Sequence, residues 1–373
     1  MLRVLTGGES HGESLVAILD GMPSNLKISV DFINQELRKR QHFFGRGKRM
    51  AIEEDTAKIV SGVIKGRATG SPISIVIKNK DFSIDTLPSL FAPRPGHADL
   101  AGILKYNLKD IRLVLERASA RETASRLAVG AICKQLLAHF DVDIFSYVTG
   151  IGHLHITTGG SFEKIKLQLE NSLINCPDKK KEKEILRLIE QVREKGDTLG
   201  GCFDVVACGV CAGLGSYAQP DRRISARLCS ALMSIPAIKA VEIGEAIAGS
   251  RRLGSRVHDE IFYDKEKSFF RKTNHAGGIE GGITTGSPVI LRCYMKPIST
   301  LMKPLRTVHI SSKKPVRADI VRSDVCAVPS AGIVAEAMVA YVFADSYLEK
   351  FGSDSIEEIK RNFSGYSKQL ASF

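Results

Sequence analysis

Hydrophobic and polar residues alternate in several short stretches of the chain, a pattern typical of β-strands with one buried face. The alternation is clear at residues 71–78 (SPISIVIK) and 287–295 (SPVILRCYM), and the run RVLT at residues 3–6 also has the composition of a strand. We therefore predict strands at all three places.

Apolar residues recur at intervals of three and four in other stretches, which indicates amphipathic helices. One such pattern runs from Ala124 to Leu136 and another from Val334 to Val342. The charged segment KKKEKEILRLIEQVREK at residues 179–195 predicts a helix with a solvated face, and we assign residues 176–196 as a charged helical insertion. Strands grouped early and in the middle, with long helices between them, predict a layered α+β fold.

One pattern occurs twice. GVIKGRATGSPISIVIKNK (62–80) superposes on GIEGGITTGSPVILRCYMK (278–296) with an offset of 216 residues. A shared turn type could by itself account for the common TGSP. The matching glycines before it and the matching strand pattern after it favour a duplicated unit, with a site where two related halves meet.

Composition places the chain among ordinary globular proteins. It has 373 residues, of which 43% are hydrophobic and 25% charged, enough to bury a sizeable core. No apolar run is expected to reach the length of a membrane span. The start, MLRVLTGGESHG, lacks the apolar stretch of a signal peptide, so we expect a cytoplasmic protein.

Eight cysteines are scattered through apolar stretches, which favours reduced thiols over a disulfide framework. Cys208 and Cys211 form a CxxC pair, but no second ligand pair stands at zinc-site spacing. We therefore expect no metal site.

The chain is basic, with 53 Lys and Arg against 41 Asp and Glu and a formal charge of +12. Such a balance suits nucleic acid, an anionic membrane or a small polyanionic substrate. Residues 38–49 concentrate six lysine and arginine side chains without an acid, and glycines and aromatics interrupt them. Arginines on such a segment, including Arg40, Arg46 and Arg49, can converge on carboxylates or phosphates.

Three further stretches are unusually polar. GESHG at residues 8–12 places His11 in a glycine-flanked loop after a predicted strand. ERASARETASRLAVGAI places Ser119 and Glu122 at capping-box spacing before an apolar helix. Arg117 and Arg121 lie beside that helix N-terminus, where they oppose its dipole unless an anion is present. The alternative is that the serine only caps and the arginines are only solvated.

The last stretch is VRSDVCAVPSAGIVAEAM, in which Arg322 and Asp324 precede a predicted helix that opens at Pro329 and Ser330. Together the polar stretches predict a site for a small, highly charged anion, with His11 and His97 available for proton transfer. Walker, zinc and nucleophile-elbow motifs are absent from the sequence. Binding of nucleic acid lacks a recognisable module, and aromatics make up only 6% of residues.

Five motifs, in this order, resemble those of the chorismate synthase family across residues 2 to about 350: GESHGESLVAILDGMP, RKRQHFFGRGKRM, RPGHADLAG, ERASARETASRLAVGA and VRSDVCAVPSAGIVAEAM. The resemblance implies conversion of 5-enolpyruvylshikimate 3-phosphate to chorismate, by anti-1,4-elimination of phosphate, in the shikimate pathway of aromatic amino acid biosynthesis. It implies reduced FMN as cofactor, although the reaction is redox-neutral, with NADP as an associated nucleotide. It also implies a single domain, 1–373, in which helices lie between antiparallel sheets with internal pseudo-twofold symmetry.

The resemblance further implies a homotetramer that binds neither nucleic acid nor membrane. Because no flavin-reductase domain is present in the sequence, we expect an external flavin reductant. Two alternatives stay open: a flavin-binding relative without lyase activity, and a basic RNA-binding protein whose retention on RNA depends steeply on salt.

By resemblance, His11 manages the proton on the reduced flavin, His97 protonates the departing phosphate, and Asp324 lies near flavin N5 and assists removal of the ring proton. The residues implied to bind the substrate are Arg40, Arg46, Arg49, Arg121 and Arg322, with Arg94 as a weaker candidate. The residues implied to bind the flavin are Arg117, Ala118, Ser119, Ala237, Gly281, Lys296, Pro297, Ile298, Ser299, Thr300 and Arg322. The chain departs from the common family pattern at Ala118, at Pro236 and at HFF (42–44).

Overall fold

The computed structural model describes residues 1–45, 54–265, 268–321 and 324–373. It combines helices with antiparallel sheets, which confirms the predicted α+β class. The helices in the described ranges are α1 (Val30–Gln41), α2 (Asp99–Tyr106), α3 (Arg112–Ala118), α4 (Thr123–Leu137), α5 (Phe162–Gln168), α6 (Lys179–Glu194), α7 (Ile224–Met233), α8 (Ala246–Gly249), α9 (Val328–Phe351) and α10 (Ile356–Ala371). The strands are β1 (Arg3–Gly7), β2 (Ser14–Asp20), β3 (Ala57–Ser61), β4 (Val63–Ile64), β5 (Arg67–Ala68), β6 (Ile73–Lys78), β7 (Asp143–Ile151), β8 (Leu154–His155), β9 (Gly201–Cys208), β10 (Ile238–Ile243), β11 (Ile261–Asp264), β12 (Ser268–Arg271), β13 (Ile279–Glu280), β14 (Ile283–Thr284), β15 (Val289–Met295), β16 (Arg306–Val308) and β17 (Pro315–Arg317).

Two antiparallel sheets form the framework. The first has the strand order β1-β2-β6-β3, and the second has the order β10-β15-β9-β7-β8. The three predicted strands are present as β1, β6 and β15. In β6 the isoleucines at alternate positions are buried while the residues between them are more exposed, as the alternating pattern requires.

The predicted helices are present as α4, α9 and α6. Helix α4 packs on the first sheet and α9 on the second, and these two helices pack on each other, so helices separate the sheets. Their contact is close at Gly130, where a Cβ atom would lie 2.2 Å from the Cβ of Ala337. The absence of a side chain at Gly130 therefore sets how near the two sheets come.

Helix α9 is apolar on all sides because it is surrounded by other elements. Its 24 residues form the one helix in the described ranges that is long and apolar enough to cross a membrane, but 89% of its most apolar window is buried. The expectation that no apolar run reaches the length of a membrane span was therefore wrong. The length and composition belong to a core helix.

The repeated sequence pattern adopts the same backbone geometry in both places. The hairpins β4–β5 and β13–β14 stand at the offset of 216 residues, and each leads through TGSP into a central strand of a sheet. Gly62 and Gly278 have φ values of 79° and 77°. The N–H of Thr69 donates to the Gly62 carbonyl over 3.0 Å, and the N–H of Thr285 donates to the Gly278 carbonyl over the same distance.

Candidate active site

His11 lies in the loop between β1 and β2, where the backbone wraps around the carboxylate of Glu116. The His11 N–H donates to Glu116 Oε2 over 2.9 Å, and His11 Nδ1 lies 2.8 Å from the same oxygen. The loop needs glycine at Gly8, which has a φ of 98°, because a Cβ there would lie 2.3 Å from the Ser14 carbonyl oxygen. The imidazole is mostly buried, with 18% of the side chain exposed.

Glu116 is ionised although it is buried. Burial by itself would raise the pKa of this carboxyl, but the hydrogen bonds and charge of His11 and the charge of Arg112 bring the pKa below its ordinary value. A buried, charged carboxylate on one ring nitrogen restricts the orientation of the His11 imidazole.

His97 has a similar arrangement on the connection between β6 and α2. Its Nδ1 lies 2.5 Å from Asp99 Oδ1. Arg94 holds the same carboxylate with Nε (2.8 Å) and Nη2 (3.0 Å), and its Nη1 donates to Thr300 Oγ1 over 2.7 Å. Burial alone would raise the pKa of Asp99, but hydrogen bonds from His97 and Arg94 and their charges hold the pKa far below its ordinary value.

Arg40 and Arg121 converge on Asp55. Arg40 Nη2 lies 3.0 Å from Asp55 Oδ2, and Arg121 Nη1 lies 2.5 Å from Asp55 Oδ1. Arg121 Nε also donates to Asn79 Oδ1 over 2.8 Å, and Asn79 Nδ2 donates to the Gly12 carbonyl over 2.6 Å. The two predicted substrate ligands are thus joined to each other and to the His11 loop.

The carboxylate that joins the two arginines is ionised. Burial would raise the pKa of Asp55, but the charges and hydrogen bonds of Arg40 and Arg121 lower it below its ordinary value. One carboxylate therefore faces two guanidinium groups, and all three side chains are almost fully buried. Two buried guanidinium groups held side by side in this way can offer charge-assisted hydrogen bonds to an anion.

The segment Arg117–Ser119 is attached to β1 and its following loop. Arg117 Nη1 donates to the Gly8 carbonyl over 3.0 Å, and Nη2 donates to the carbonyl and the hydroxyl of Thr6 over 2.9 and 2.8 Å. Ala118 is the last residue of α3, and Ser119 Oγ lies 3.3 Å from Ser10 Oγ. The Arg117 guanidinium is therefore bound to the protein's own oxygens.

The predicted capping box was wrong. Ser119 Oγ accepts the N–H of Arg121 over 3.3 Å, within a short 3₁₀ turn (Ala120–Glu122) that precedes α4. The Glu122 carboxylate accepts from Arg126 Nε over 3.0 Å. The 3₁₀ turn shifts the start of α4 to Thr123, so Ser119 and Glu122 do not have the positions in a first α-turn that a capping box requires.

Most of the predicted flavin residues of the second half lie where β15 ends. The Lys296 N–H donates to the Ala237 carbonyl over 3.0 Å, and Lys296 Nζ donates to the Gly96 carbonyl over 2.8 Å. Thr300 accepts from Arg94, as described above, and a Cβ on Gly96 would lie 3.6 Å from Ser299. The segment 296–300, which includes Pro297 and Ile298, therefore packs beside the His97 loop.

Asp324 lies just before α9, whose start at Val328 and Pro329 agrees with the prediction. The neighbouring Val325 accepts the N–H of Leu199 over 2.8 Å and donates to the Gly45 carbonyl over 2.9 Å. Thr198 Oγ1 in turn donates to the Ile298 carbonyl over 2.7 Å. Residues 198–199 therefore connect the Asp324 segment to the predicted flavin segment.

Of the predicted residues that the structure describes, Gly281 lies away from the residues above. Gly281 lies in the turn between β13 and β14, at the opposite end of β15 from Lys296. Arg46, Arg49 and Arg322 lie outside the described residues.

Four residues that contact the predicted site side chains were missed from the sequence: Glu116, Asp99, Asp55 and Asn79. The position of Asp99, two residues after His97, was a local signal in the sequence that could have identified it as a partner of that histidine. Glu116 directly precedes Arg117, but its partner His11 is 105 residues away. Asp55 lies outside the quoted motifs, and Asn79 lies in the repeat at residues 62–80, which gave no sign of a role in the site.

We assign the cysteines no role in this site. All eight are free thiols, and burial raises the pKa of both Cys208 and Cys211. Thiols with raised pKa values are poor nucleophiles and poor metal ligands. Across the described parts of the chain, no group of three or more His, Cys, Asp and Glu is arranged to hold a metal ion.

Comparisons with known proteins match the same family over nearly the whole chain. The family model described as chorismate synthase matches residues 2–348. A chorismate synthase of Alkaliphilus metalliredigens is 49% identical over 98% of this chain and 100% of that protein, and one of Aquifex aeolicus is 48% identical over 100% and 99%. A crystal structure of chorismate synthase superposes with a TM-score of 0.83 at 43% identity, over 100% of this chain and 99% of that one. The chain belongs to the chorismate synthase family.

Proposed function

We propose that this protein, a lyase by its family, eliminates phosphate from 5-enolpyruvylshikimate 3-phosphate in an anti-1,4 sense to form chorismate. The observation that carries the proposal is a pair of histidines on ionised carboxylates, together with a buried pair of arginines joined through Asp55. This combination suits a substrate with one phosphate and two carboxylates that must lose phosphate and a proton.

Among the described residues, we assign substrate binding to Arg40 and Arg121. Their guanidinium groups are 3% and 5% exposed, so they act at low dielectric, where charge-assisted hydrogen bonds are strong. Arg46, Arg49 and Arg322 complete the proposed set on the ground of the family resemblance. Arg94 is less suited to bind substrate, because its guanidinium already contacts Asp99, His97 and Thr300.

Proton transfer is assigned to His97 for the departing phosphate and to His11 for the flavin. A positioned acid of this kind contributes roughly 10²–10⁴-fold to a rate. Asp324 is proposed to assist removal of the ring proton. This assignment agrees with its connection, through residues 198–199, to the segment 296–300.

Reduced FMN is the proposed cofactor, and when bound it supplies transient electron donation to the ring. The donor set at the end of β15 fits a phosphate-bearing, polar group, since it presents the Lys296 ammonium and the hydroxyls of Ser299 and Thr300 close together. Burial, and the charge of Lys239, lower the pKa of Lys296, and a phosphate beside it would reverse that effect. Ala237 lies at the same strand end. Arg117, Ala118, Ser119, Gly281 and Arg322 remain proposed flavin residues.

We infer that the fold is a single domain of two halves related by a pseudo-twofold axis. The strand order β1-β2-β6-β3 of the first sheet corresponds to β7-β9-β15-β10 of the second, and the matched TGSP hairpins support the same correspondence. From the family resemblance alone, we also propose that the enzyme is a cytoplasmic homotetramer. We propose on the same ground that an external reductant supplies the reduced flavin, with NADP as the associated nucleotide.

An anaerobic assay tests the function. The protein is mixed with 5-enolpyruvylshikimate 3-phosphate and dithionite-reduced FMN, and chorismate and phosphate are followed together. We expect equal amounts of both products, and none when the flavin is omitted or left oxidised. FMN binding without chorismate would instead identify a flavin-binding relative that lacks lyase activity.

The RNA-binding alternative is not favoured, because the family match covers nearly the whole chain. Retention on RNA with a steep dependence on salt would revive it.

A further inference from the structure

Both candidate catalytic histidines meet a buried carboxylate through the same ring nitrogen. His11 Nδ1 lies 2.8 and 3.1 Å from the two oxygens of Glu116, and His97 Nδ1 lies 2.5 Å from Asp99 Oδ1. The two carboxylate side chains are each 1% exposed, whereas each imidazole is 18% exposed. The carboxylates are thus sealed behind the rings, and the ring sides away from them are the solvent-accessible ones.

We propose that Glu116 and Asp99 are positioning residues that hold His11 and His97 in the Nδ1–H tautomer, so that Nε2 of each ring exchanges the proton with the reacting group. The proposal deepens the proposed function and rests on it for the identity of the reacting groups. The tautomers themselves follow from the contacts alone.

For His97 the contacts decide which atom carries the hydrogen. Asp99 Oδ1 is an acceptor, and an unprotonated Nδ1 at 2.5 Å would set two lone pairs against each other. Arg94 Nη2 also lies 3.0 Å from Nδ1, but this contact is longer than the 2.5 Å contact of Nδ1 with Asp99 Oδ1. The low pKa of Asp99 keeps its carboxylate ionised, so the proton between the two groups is on Nδ1. The other charged group at this loop is Lys296, whose ammonium donates to the Gly96 carbonyl.

For His11 the carboxylate holds both the backbone and the ring. Glu116 Oε2 accepts from the His11 N–H over 2.9 Å as well as facing Nδ1, so the ring position follows from the loop position. Arg112 Nη1 lies 3.4 Å from Glu116 Oε1 on the same helix. From the loop after β6, Asp81 Oδ2 lies 3.9 Å from His11 Nε2. The Nε2 side of His11 therefore faces an acidic surrounding, which suits a group that takes up and returns a proton.

Asp99 also connects His97 to the predicted flavin segment. Arg94 contacts Asp99 with two nitrogens and Thr300 with the third. The position of the His97 ring is therefore tied to the segment 296–300 through a chain of charged and polar contacts. A carboxylate that orients a histidine in this way is worth at least about tenfold in function at comparable sites.

The tautomers can be measured on the unmodified protein. ¹⁵N-labelled histidine is incorporated, and long-range ¹H–¹⁵N correlations are recorded at a pH where the rings are neutral. The signals are assigned by comparison with His11→Gln and His97→Gln. We expect Nδ1–H for both rings, and for comparison the exposed His153 should show a mixture. An Nε2–H tautomer at either histidine overturns the proposal for that residue.

Two variants provide the kinetic test. In Glu116→Gln and Asp99→Asn the amide can donate or accept, so both tautomers become tolerated and the negative charge is lost. We expect kcat to fall at least about tenfold, with KM little changed. The pH profile of kcat should differ from that of the parent, because each ring loses the fixed negative charge beside its Nδ1.

Asp110→Asn is the matched control. Asp110 caps backbone N–H groups of Leu90 and Arg112 over 2.9 and 2.8 Å, and no hydrogen bond or ion pair in the described parts of the chain joins it to either histidine. Its pH profile should equal that of the parent.

Folded Glu116→Gln or Asp99→Asn protein with the parent's pH profile would overturn the positioning role. If a variant does not fold, the tautomer measurement on the parent decides. A parent that forms no chorismate would refute the proposed function, while the tautomers would still be decided by NMR.

Discussion

Asp55 is the residue whose removal most directly tests the arginine pair. Its carboxylate joins Arg40 and Arg121, and the three side chains are 0%, 3% and 5% exposed. Asp55→Asn keeps the shape of the side chain and one acceptor oxygen but removes the negative charge. It therefore removes the counter-charge that Asp55 supplies to two buried guanidinium groups.

The magnitude follows from this burial. Removing one partner of a buried ion pair costs about 3–5 kcal/mol of the free energy of unfolding. Because the asparagine oxygen still accepts one hydrogen bond, we expect the lower end, about 3 kcal/mol. For a chain of this length that corresponds to a fall in Tm of roughly 4–6 °C.

The assay is thermal denaturation followed by circular dichroism, in a buffer free of phosphate and sulfate. The control is Asp143→Asn, which breaks the ion pair of Asp143 with Lys166, where both side chains are 52% exposed. Such a surface pair contributes only about 0–1 kcal/mol, so its Tm should stay close to that of the parent. If Asp55→Asn has the same Tm as the control, the charge of Asp55 does not stabilise the arginine pair and the argument fails.

Added anion extends the test to binding. A ligand that binds only the folded state raises Tm according to its concentration and affinity. In Asp55→Asn, inorganic phosphate or the substrate can supply the missing negative charge, so its stabilising effect should exceed that in Asp143→Asn. Equal shifts in both variants would mean that Arg40 and Arg121 do not receive the anion.

The pH dependence has a definite sign. The pKa of Asp55 in the folded protein lies below its ordinary value. Its stabilising contribution is therefore fully present above the unfolded-state pKa of about 3.9 and is lost as the pH falls through the lower folded-state value. The stability difference between parent and Asp55→Asn should be constant near neutral pH and should shrink only below about pH 4. A difference that already narrows near pH 6 would contradict the assignment.

Three further predictions concern catalysis and packing. His11→Ala and His97→Ala should each lower turnover by roughly 10²–10⁴-fold in protein that still folds, and activity within threefold of the parent in anaerobic assays would contradict the assigned roles. Chorismate formed under strict anaerobiosis should exceed the reduced FMN supplied, since the reaction has no net redox change, and a limit of one equivalent per flavin would count against this. Gly130→Ala should destabilise the protein by about 1–3 kcal/mol or more, because the new methyl group would lie 2.2 Å from Ala337. Gly365→Ala, which has open space around it in α10, should be neutral or stabilising by up to about 1 kcal/mol. Equal Tm values for the two glycine variants would refute the packing argument.

Much of the local structure was determined by the sequence alone. The alternation in β6 and β15, the helical periodicity of α4 and α9, and the solvated face of α6 all report which side of a segment is buried. That information is local, because the spacing of side chains along a strand or helix is a property of the backbone within a few residues. The glycines of the TGSP repeat are local in the same way, since a positive φ at Gly62 and Gly278 is required wherever the turn occurs.

The partners of the site residues were decided by tertiary structure. Glu116 reaches His11 across 105 residues, Arg121 reaches Asp55 across 66, and Arg94 reaches Thr300 across 206. No pattern within a helix or strand encodes these pairs, because each joins residues that are far apart in the sequence and meet only when loops and helices pack in the folded chain. The same limit explains why the predicted capping box was wrong. The spacing of Ser119 and Glu122 is a local signal, but contacts with β1 and its following loop hold the segment that contains Arg117 and Ser119. As a result, a 3₁₀ turn separates Ser119 from α4. The sequence thus determined which chemical groups are present and on which elements, while the chain path decided which charges face each other.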